Sequence, residues 1–207
     1  MPKAKSSHSD VRTGNTAASA ESLAEAARAA SGSGKGPPLE AWDPPFCGDL
    51  DMEIRRDGTW FYEGTPIGRK ALVKLFSTIL WREGDAYFLK SPVEKVGIRV
   101  EDAPFVAEDA EIEGDGAEQM IRFTTQVGDA VTAGPDHPIR VERDAATGEP
   151  SPYVLIRRNL EALVDRKTFY RLVDAGTREE VEGTLWFGLR SGGTFFPIIL
   201  ASELPDG

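Results

Sequence analysis

The chain has 207 residues, with 24 Lys and Arg against 34 Asp and Glu, a formal net charge of −10 and a pI near 4.8. That balance opposes nonspecific attraction to nucleic acid or anionic membrane, and no apolar run approaches the roughly 20 residues needed to span a bilayer. One cysteine, Cys47, excludes an internal disulfide and any multi-cysteine metal site.

Residues 1–37 read as a disordered Ala/Ser/Gly-rich tail. AESLAEAARAA (20–30) is expected to form only a transient helix, because Leu23 is its one large apolar residue and buries too little to offset ordering entropy. SGSGKG (31–36) has the composition of a flexible linker, and His8 lies in this tail. No apolar segment follows Lys3 and Lys5, so the chain reads as cytoplasmic.

A first α+β half is expected over 38–127. MEIRRDGTWFYEG (52–64) is a hairpin signal around Asp57-Gly58. The following helix, 65–81, is expected to start at Thr65 as cap and Pro66 in its first turn, with Leu72, Leu75, Phe76, Ile79 and Leu80 forming one apolar stripe. DAYFLK and KVGIRVED read as strands. FVAEDAEIEG and QMIRFTTQVGD read as a second hairpin across Gly114-Asp115-Gly116.

The second half, 128–207, echoes the first. IRVERD (139–144) resembles MEIRRD (52–57) at an offset of 87 residues. Carrying that offset forward predicts a helix over NLEALVDR (159–166) capped by Asn159, with Leu160, Leu163 and Val164 on its apolar face. TFYRLVD then falls in place as a strand. EEVEGTLWFGLR and TFFPIIL close the chain as strands joined at Ser191-Gly192-Gly193. The expected fold is α+β in two similar halves, each mostly antiparallel sheet with one helix, a duplicated ββαββ-like motif.

The motifs PLEAWDPPFCGDLDMEIRRDGTWFYEGTPIGRKALVKLF, SPVEKVGIRVEDAPF, FTTQVGD, GPDHP, PYVLIR, FYRLV and SGGTFFP together resemble a proteobacterial domain-of-unknown-function family, number 1285. The resemblance covers about Pro38 to Pro197. It implies a two-part α+β fold with repeated motifs and a role in signalling or regulation, and it supplies no catalytic residues and no cofactor.

Four groups of residues carry candidate chemistry. Asp49 and Asp51, two apart, share one side of a strand and present two oxygen ligands, or they serve turns. Asp136 and His137 in GPDHP form an acid–imidazole pair, although Gly134, Pro135 and Pro138 also specify a structural turn. Arg69 and Arg157, placed before the two expected helices, and Arg166, at the end of the second, are suited to an anion or to salt bridges. Ser191 and Gly192 allow close backbone approach to an anion, or simply a hairpin turn. Trp42, in a Pro-rich loop, completes the set of ligand-binding candidates.

Two functions follow from these groups. One is a noncatalytic module that binds a small anionic ligand or a protein partner between its halves. The other is a metal-assisted hydrolase or transferase using Asp49, Asp51, Asp136 and His137. Geometry separates them, because the second requires those four side chains to converge. No basic stripe with interleaved aromatics is present, which disfavours nucleic acid.

Overall fold

The computed structural model describes residues 19–30 and 36–204. Helix α1 (Ala20–Ala30) comes first and is packed. Leu23 is fully buried, and Ala20, Ala24 and Ala27 join it in the core. The expected tail therefore includes an ordered, docked helix. The spacing i, i+3, i+4, i+7 puts all four on one face, and a seat against α2 supplies the burial that the isolated segment lacks.

The first half then runs β1 (Phe46–Ile54), β2 (Trp60–Tyr62), β3 (Thr65–Pro66), α2 (Lys70–Thr78), β4 (Leu80–Glu83), β5 (Ala86–Lys90) and β6 (Lys95–Val100). The second runs β7 (Phe105–Glu113), β8 (Met120–Thr125), β9 (Ala130–Thr132), β10 (Ile139–Arg143), β11 (Pro150–Arg157), β12 (Leu160–Val164) and α3 (Arg166–Asp174). A three-stranded antiparallel sheet of β13 (Thr177–Val181), β14 (Thr184–Ser191) and β15 (Thr194–Leu200) follows.

The two six-stranded sheets share one topology. The first is ordered β3-β2-β1-β6-β5-β4, and the second, read from its β9 edge, is β9-β8-β7-β12-β11-β10. In both, two antiparallel three-strand meanders meet at a central parallel pair, β1 with β6 and β7 with β12. The molecule is thus a two-domain α+β fold of two similar, mostly antiparallel halves.

The repeat register differs from the expected one. Phe46 opens β1 and Phe105 opens its equivalent β7, 59 residues later. The offset of 87 aligned the first strand of one sheet with the fourth of the other. As a result the change of sheet falls at Ala103, and the expected division at 127/128 cuts through the second sheet.

The helix errors have local causes. In β12 the buried residues are Leu160, Ala162 and Val164, a period of two with alanine as its middle member. Counting Leu163 instead of Ala162 makes this strand look helical. The helix lies one element later: Thr168, Phe169 and Leu172 are its buried face, and Asp165 caps it by accepting from the Thr168 N–H at 2.7 Å. Thr65 and Pro66 do not start α2. They pair with Tyr62 and Phe61 across a tight turn in which Glu63 and Gly64 have positive φ. Arg69 occupies the N-cap of α2 without a side-chain cap bond.

Both halves feed one hydrophobic cluster, from Leu39 and Trp60 through Phe105 and Phe123 to Ile198. Trp60 stacks on Phe76 of α2, centroids 6.3 Å apart. The hairpins expected at Asp57-Gly58, Gly114–Gly116 and Ser191–Gly193 are all present. Among the described residues no helix is long and apolar enough to cross a membrane.

Candidate functional site

The sequence candidates scatter over the fold. Asp49 and Asp51 are exposed on β1, where Asp51 pairs with Arg99 at 2.8 Å. Asp49 lies beside Gly97 of the neighbouring strand, so close that a Cβ there would stand 2.1 Å from its Oδ1. Asp136 and His137 sit on the connection between β9 and β10 in the other sheet, at the topological position that α2 fills in the first. Gly134 and His137 exchange two backbone hydrogen bonds of 3.2 and 3.1 Å, and the His137 Nδ1–H donates to the Leu155 carbonyl at 2.9 Å. GPDHP is therefore a closed turn anchored by its histidine. The four residues of the hydrolase reading occupy separate sheets. Among the described residues no group of three or more His, Cys, Asp or Glu is arranged to hold a metal.

The arginine pairing also dissolves. Arg69 is exposed at the start of α2. Arg157 ends β11, is half-buried, and is consumed by contacts: it pairs with Asp129, donates to the Ser77 carbonyl at 2.7 Å and stacks over Phe105 at 4.8 Å. Burial holds its pKa below the usual arginine value. It fastens the second sheet to α2 and leaves no fork for a ligand. Ser191 is fully buried, donating to the Ala133 carbonyl and accepting from the Ile121 N–H, both at 2.8 Å. Gly192 has φ +56° and packs on Ala133 and Gly134. The two Gly-rich candidates, GPDHP and SGG, thus support each other as turns. Trp42 is half-buried against the core.

Arg166 has a different setting. It is the first residue of α3, and not the end of a helix, and it lines a groove of about 710 Å³. This volume falls in the range of small-molecule sites. The groove wall includes Arg56 from the turn after β1, the connection at Glu101 and Asp102, both strands of the β10–β11 hairpin, and the start of α3. It therefore draws on both halves. A smaller cavity of about 280 Å³ adjoins it through Glu101, Asp102, Glu142 and Tyr153.

Tyr153 and Asp102 organise the junction. The Tyr153 hydroxyl donates to Asp102 Oδ1 at 2.8 Å, and Arg56 holds the other carboxylate oxygen at 3.1 Å while donating to Ser151 Oγ at 2.9 Å. Burial, followed by the hydrogen bond to Asp102, pushes the Tyr153 phenol up to about 12. Arg140 lies over the Tyr153 ring at 4.2 Å and is clamped by Glu161 through bonds of 2.6 and 2.7 Å, which raises its pKa further.

The remaining charges of the large groove are mostly engaged. Glu142 pairs with Arg140, Glu149 with Arg166, Asp144 accepts from Thr147 and Ala146, and Asp165 caps α3. Arg143 is the exception. Its guanidinium donates to the carbonyls of Gly148 and Ile198 at 3.3 and 3.5 Å and has no carboxylate partner among the described residues. Sequence reading missed Arg56, Asp102, Arg143 and Tyr153. Asp102 and Tyr153 stand 51 positions apart with no motif linking them.

A family model described as "Domain of unknown function (DUF1285), N-terminal domain" matches residues 37–103. One described as "Protein of unknown function (DUF1285), C-terminal domain" matches 104–198. Their junction coincides with the change of sheet. A solved DUF1285 family protein from Silicibacter pomeroyi DSS-3 is 58% identical, with 87% of this chain and 96% of that one covered and a TM-score of 0.78. Another, from Shewanella baltica OS155, is 29% identical, with 61% of this chain and 92% of that one covered and a TM-score of 0.49. Comparison with curated proteins finds no match. With both domain models matched in tandem and a solved relative along almost its whole length, this chain belongs to the DUF1285 family.

Proposed function

We propose that this protein is a noncatalytic binding module of the cytoplasm, acting in signalling or regulation, whose groove between the halves holds a small anionic ligand. The observation that carries this reading is the Arg143 guanidinium, free of any carboxylate among the described residues, in one groove with Arg166, which an anion would have to take over from Glu149, and with the first turn of α3, which Asp165 already caps. A helix N-terminus favours negative charge, and a guanidinium adds a two-pronged donor for phosphate or carboxylate. Phe169, Tyr170, Pro150 and Pro152 supply apolar surface for the body of the ligand. Glu149 is held by Arg166 and Asp165 by the first turn of α3, so an anion enters by displacing the Glu149 carboxylate from Arg166.

The test is a thermal-shift screen of the full chain against nucleotides, phosphorylated metabolites and dicarboxylates. Ligand at about 100 times its Kd stabilises by about 2.7 kcal/mol, a clear rise in melting midpoint. Arg143→Ala and Arg166→Ala should each weaken the response by about tenfold or more in Kd, since a hydrogen bond to a charged group contributes roughly 1.5–3 kcal/mol. A flat response across the panel, or a shift that survives both substitutions, sinks the proposal.

A further inference from the structure

The groove between the halves holds a segment of its own chain where an anion would sit. Residues 144–149 form the tip of the β10–β11 hairpin, all of them exposed, and Asp144, Thr147 and Glu149 line the groove. The tip is folded on itself. Asp144 Oδ1 accepts from the Ala146 and Thr147 N–H groups at 2.9 and 2.7 Å, and the Asp144 N–H donates to the Glu149 carbonyl at 2.9 Å. Among the described residues, its one hydrogen bond or ion pair beyond the hairpin joins Glu149 to Arg166 of α3. Arg143, at the end of β10, donates to the carbonyl of Gly148, the neighbour of Glu149. The two arginines of the anion reading therefore hold one dipeptide, a carbonyl at Arg143 and a carboxylate at Arg166. The hairpin is weak where the tip begins, because its closing pair is Arg143 with Pro150, and proline brings no N–H to the ladder.

We propose that Gly148 and Glu149 are an internal pseudo-ligand: the tip occupies Arg143 and Arg166 until an anion replaces it there, and it then swings clear of α3 as a unit. This rests on the anion reading of the groove and adds its regulation. The turn bonds stay within the tip, so release does not require the sheet to open. The restraint is mild, because a single exposed ion pair carries it. Removing the Glu149 charge should tighten anion binding by about two- to fivefold, the upper range for such a pair. Glu142 supplies the contrast. It lines the same groove with the same charge but pairs with Arg140 and holds neither arginine of the anion reading.

The experiment uses the full-length chain and pyrophosphate in metal-free buffer, a probe with two anionic heads on one bridge. Calorimetry compares wild type, Glu149→Gln and Glu142→Gln. Pulsed electron paramagnetic resonance follows the tip, with nitroxides at Ala146→Cys and Lys167→Cys in a Cys47→Ser background. The expected result is tighter binding in Glu149→Gln than in either other chain. The labels should show one short distance in the free protein and a longer one with pyrophosphate. Glu149→Gln should populate the longer distance without the probe. Equal affinity in wild type and Glu149→Gln, an equal gain in Glu142→Gln, or binding without lengthening overturns the pseudo-ligand and leaves the anion site standing. No binding of pyrophosphate to any of the three chains removes the anion reading and the pseudo-ligand together.

Discussion

The Arg157 guanidinium donates to the Ser77 carbonyl of α2 at 2.7 Å, joining the end of β11 in the second sheet to the helix of the first half. The same side chain pairs with Asp129 in the turn between β8 and β9. One arginine thus ties three segments that are distant in sequence. Arg157→Met keeps most of the length and apolar contact but removes the donors. It should cost about 2–3 kcal/mol in urea unfolding, the scale of a partly buried charged hydrogen bond. Unchanged stability would show that the junction holds without it. The substitution should leave any ligand-induced shift intact, because Arg157 lies outside the groove wall.

Asp165 and Asn159 offer a direct comparison. Asp165 caps α3 through the Thr168 N–H, so Asp165→Ala should lose about 1 kcal/mol. Asn159 caps nothing; its Nδ2 donates to the Arg82 carbonyl at 3.2 Å on the surface. Asn159→Ala should change stability by less than about 0.5 kcal/mol. Paired denaturation curves decide the matter, and a reversed ranking would place the helix start wrongly.

Ser191 serves as a rivet and not as an anion contact. Ser191→Ala strands the Ile121 N–H and the Ala133 carbonyl in a buried place, and should cost about 1–3 kcal/mol. Gly192→Ala should also destabilise, since its φ is +56° and a Cβ would sit 2.8 Å from the Ala133 carbonyl oxygen. Both effects are read by chemical denaturation without ligand. A neutral Ser191→Ala would mean the surrounding groups find other partners.

Stability should fall in acid. The Lys95 ammonium beside Glu83 and the Arg158 guanidinium beside Glu40 hold these carboxyls below their ordinary value of 4.5, and Arg171 does the same for Asp109 against 3.8. Groups with lowered folded pKa contribute stability that is present above the unfolded value and lost as pH drops through the folded one. Melting midpoints from these groups should be level from pH 7 to about 5 and decline below about 4. Glu83→Gln should flatten part of that decline.

Tyr153 sets the alkaline limit. Its folded pKa of about 12 exceeds the ordinary 10, so its contribution is complete below pH 10 and lost as pH rises toward 12. Burial raises the Tyr62 and Tyr87 phenols as well, so ultraviolet titration of tyrosinate should show several late-ionising phenols, of which the latest is lost in Tyr153→Phe. If the late transition persists in that variant, the Asp102–Tyr153 bond does not govern it.

Much of the fold was legible because its signals are local. The Asp57-Gly58, Gly114–Gly116 and Ser191–Gly193 turns announce themselves through residues that accept positive φ or tight bends. Alternation at Leu50, Met52 and Ile54, and at Ile121 and Phe123, marks strands with one buried face. From these the α+β class follows; the two similar halves rest instead on the 87-residue echo, which the sheets replace with an offset of 59.

What the sequence could not decide is which strand lies beside which. A six-residue echo aligned β1 with β10, whereas hydrogen bonding makes β7 the equivalent of β1. Ala162 reads as neutral until the sheet buries it, and α1 reads as unstructured until α2 covers Leu23. The groove is the extreme case: Arg56, Asp102, Arg143, Tyr153 and Arg166 acquire a common surface only when the two halves meet. Turn chemistry and periodicity are properties of neighbouring residues. Burial, charge pairing and cavities are properties of segments brought together from far along the chain, and only the tertiary structure sets them.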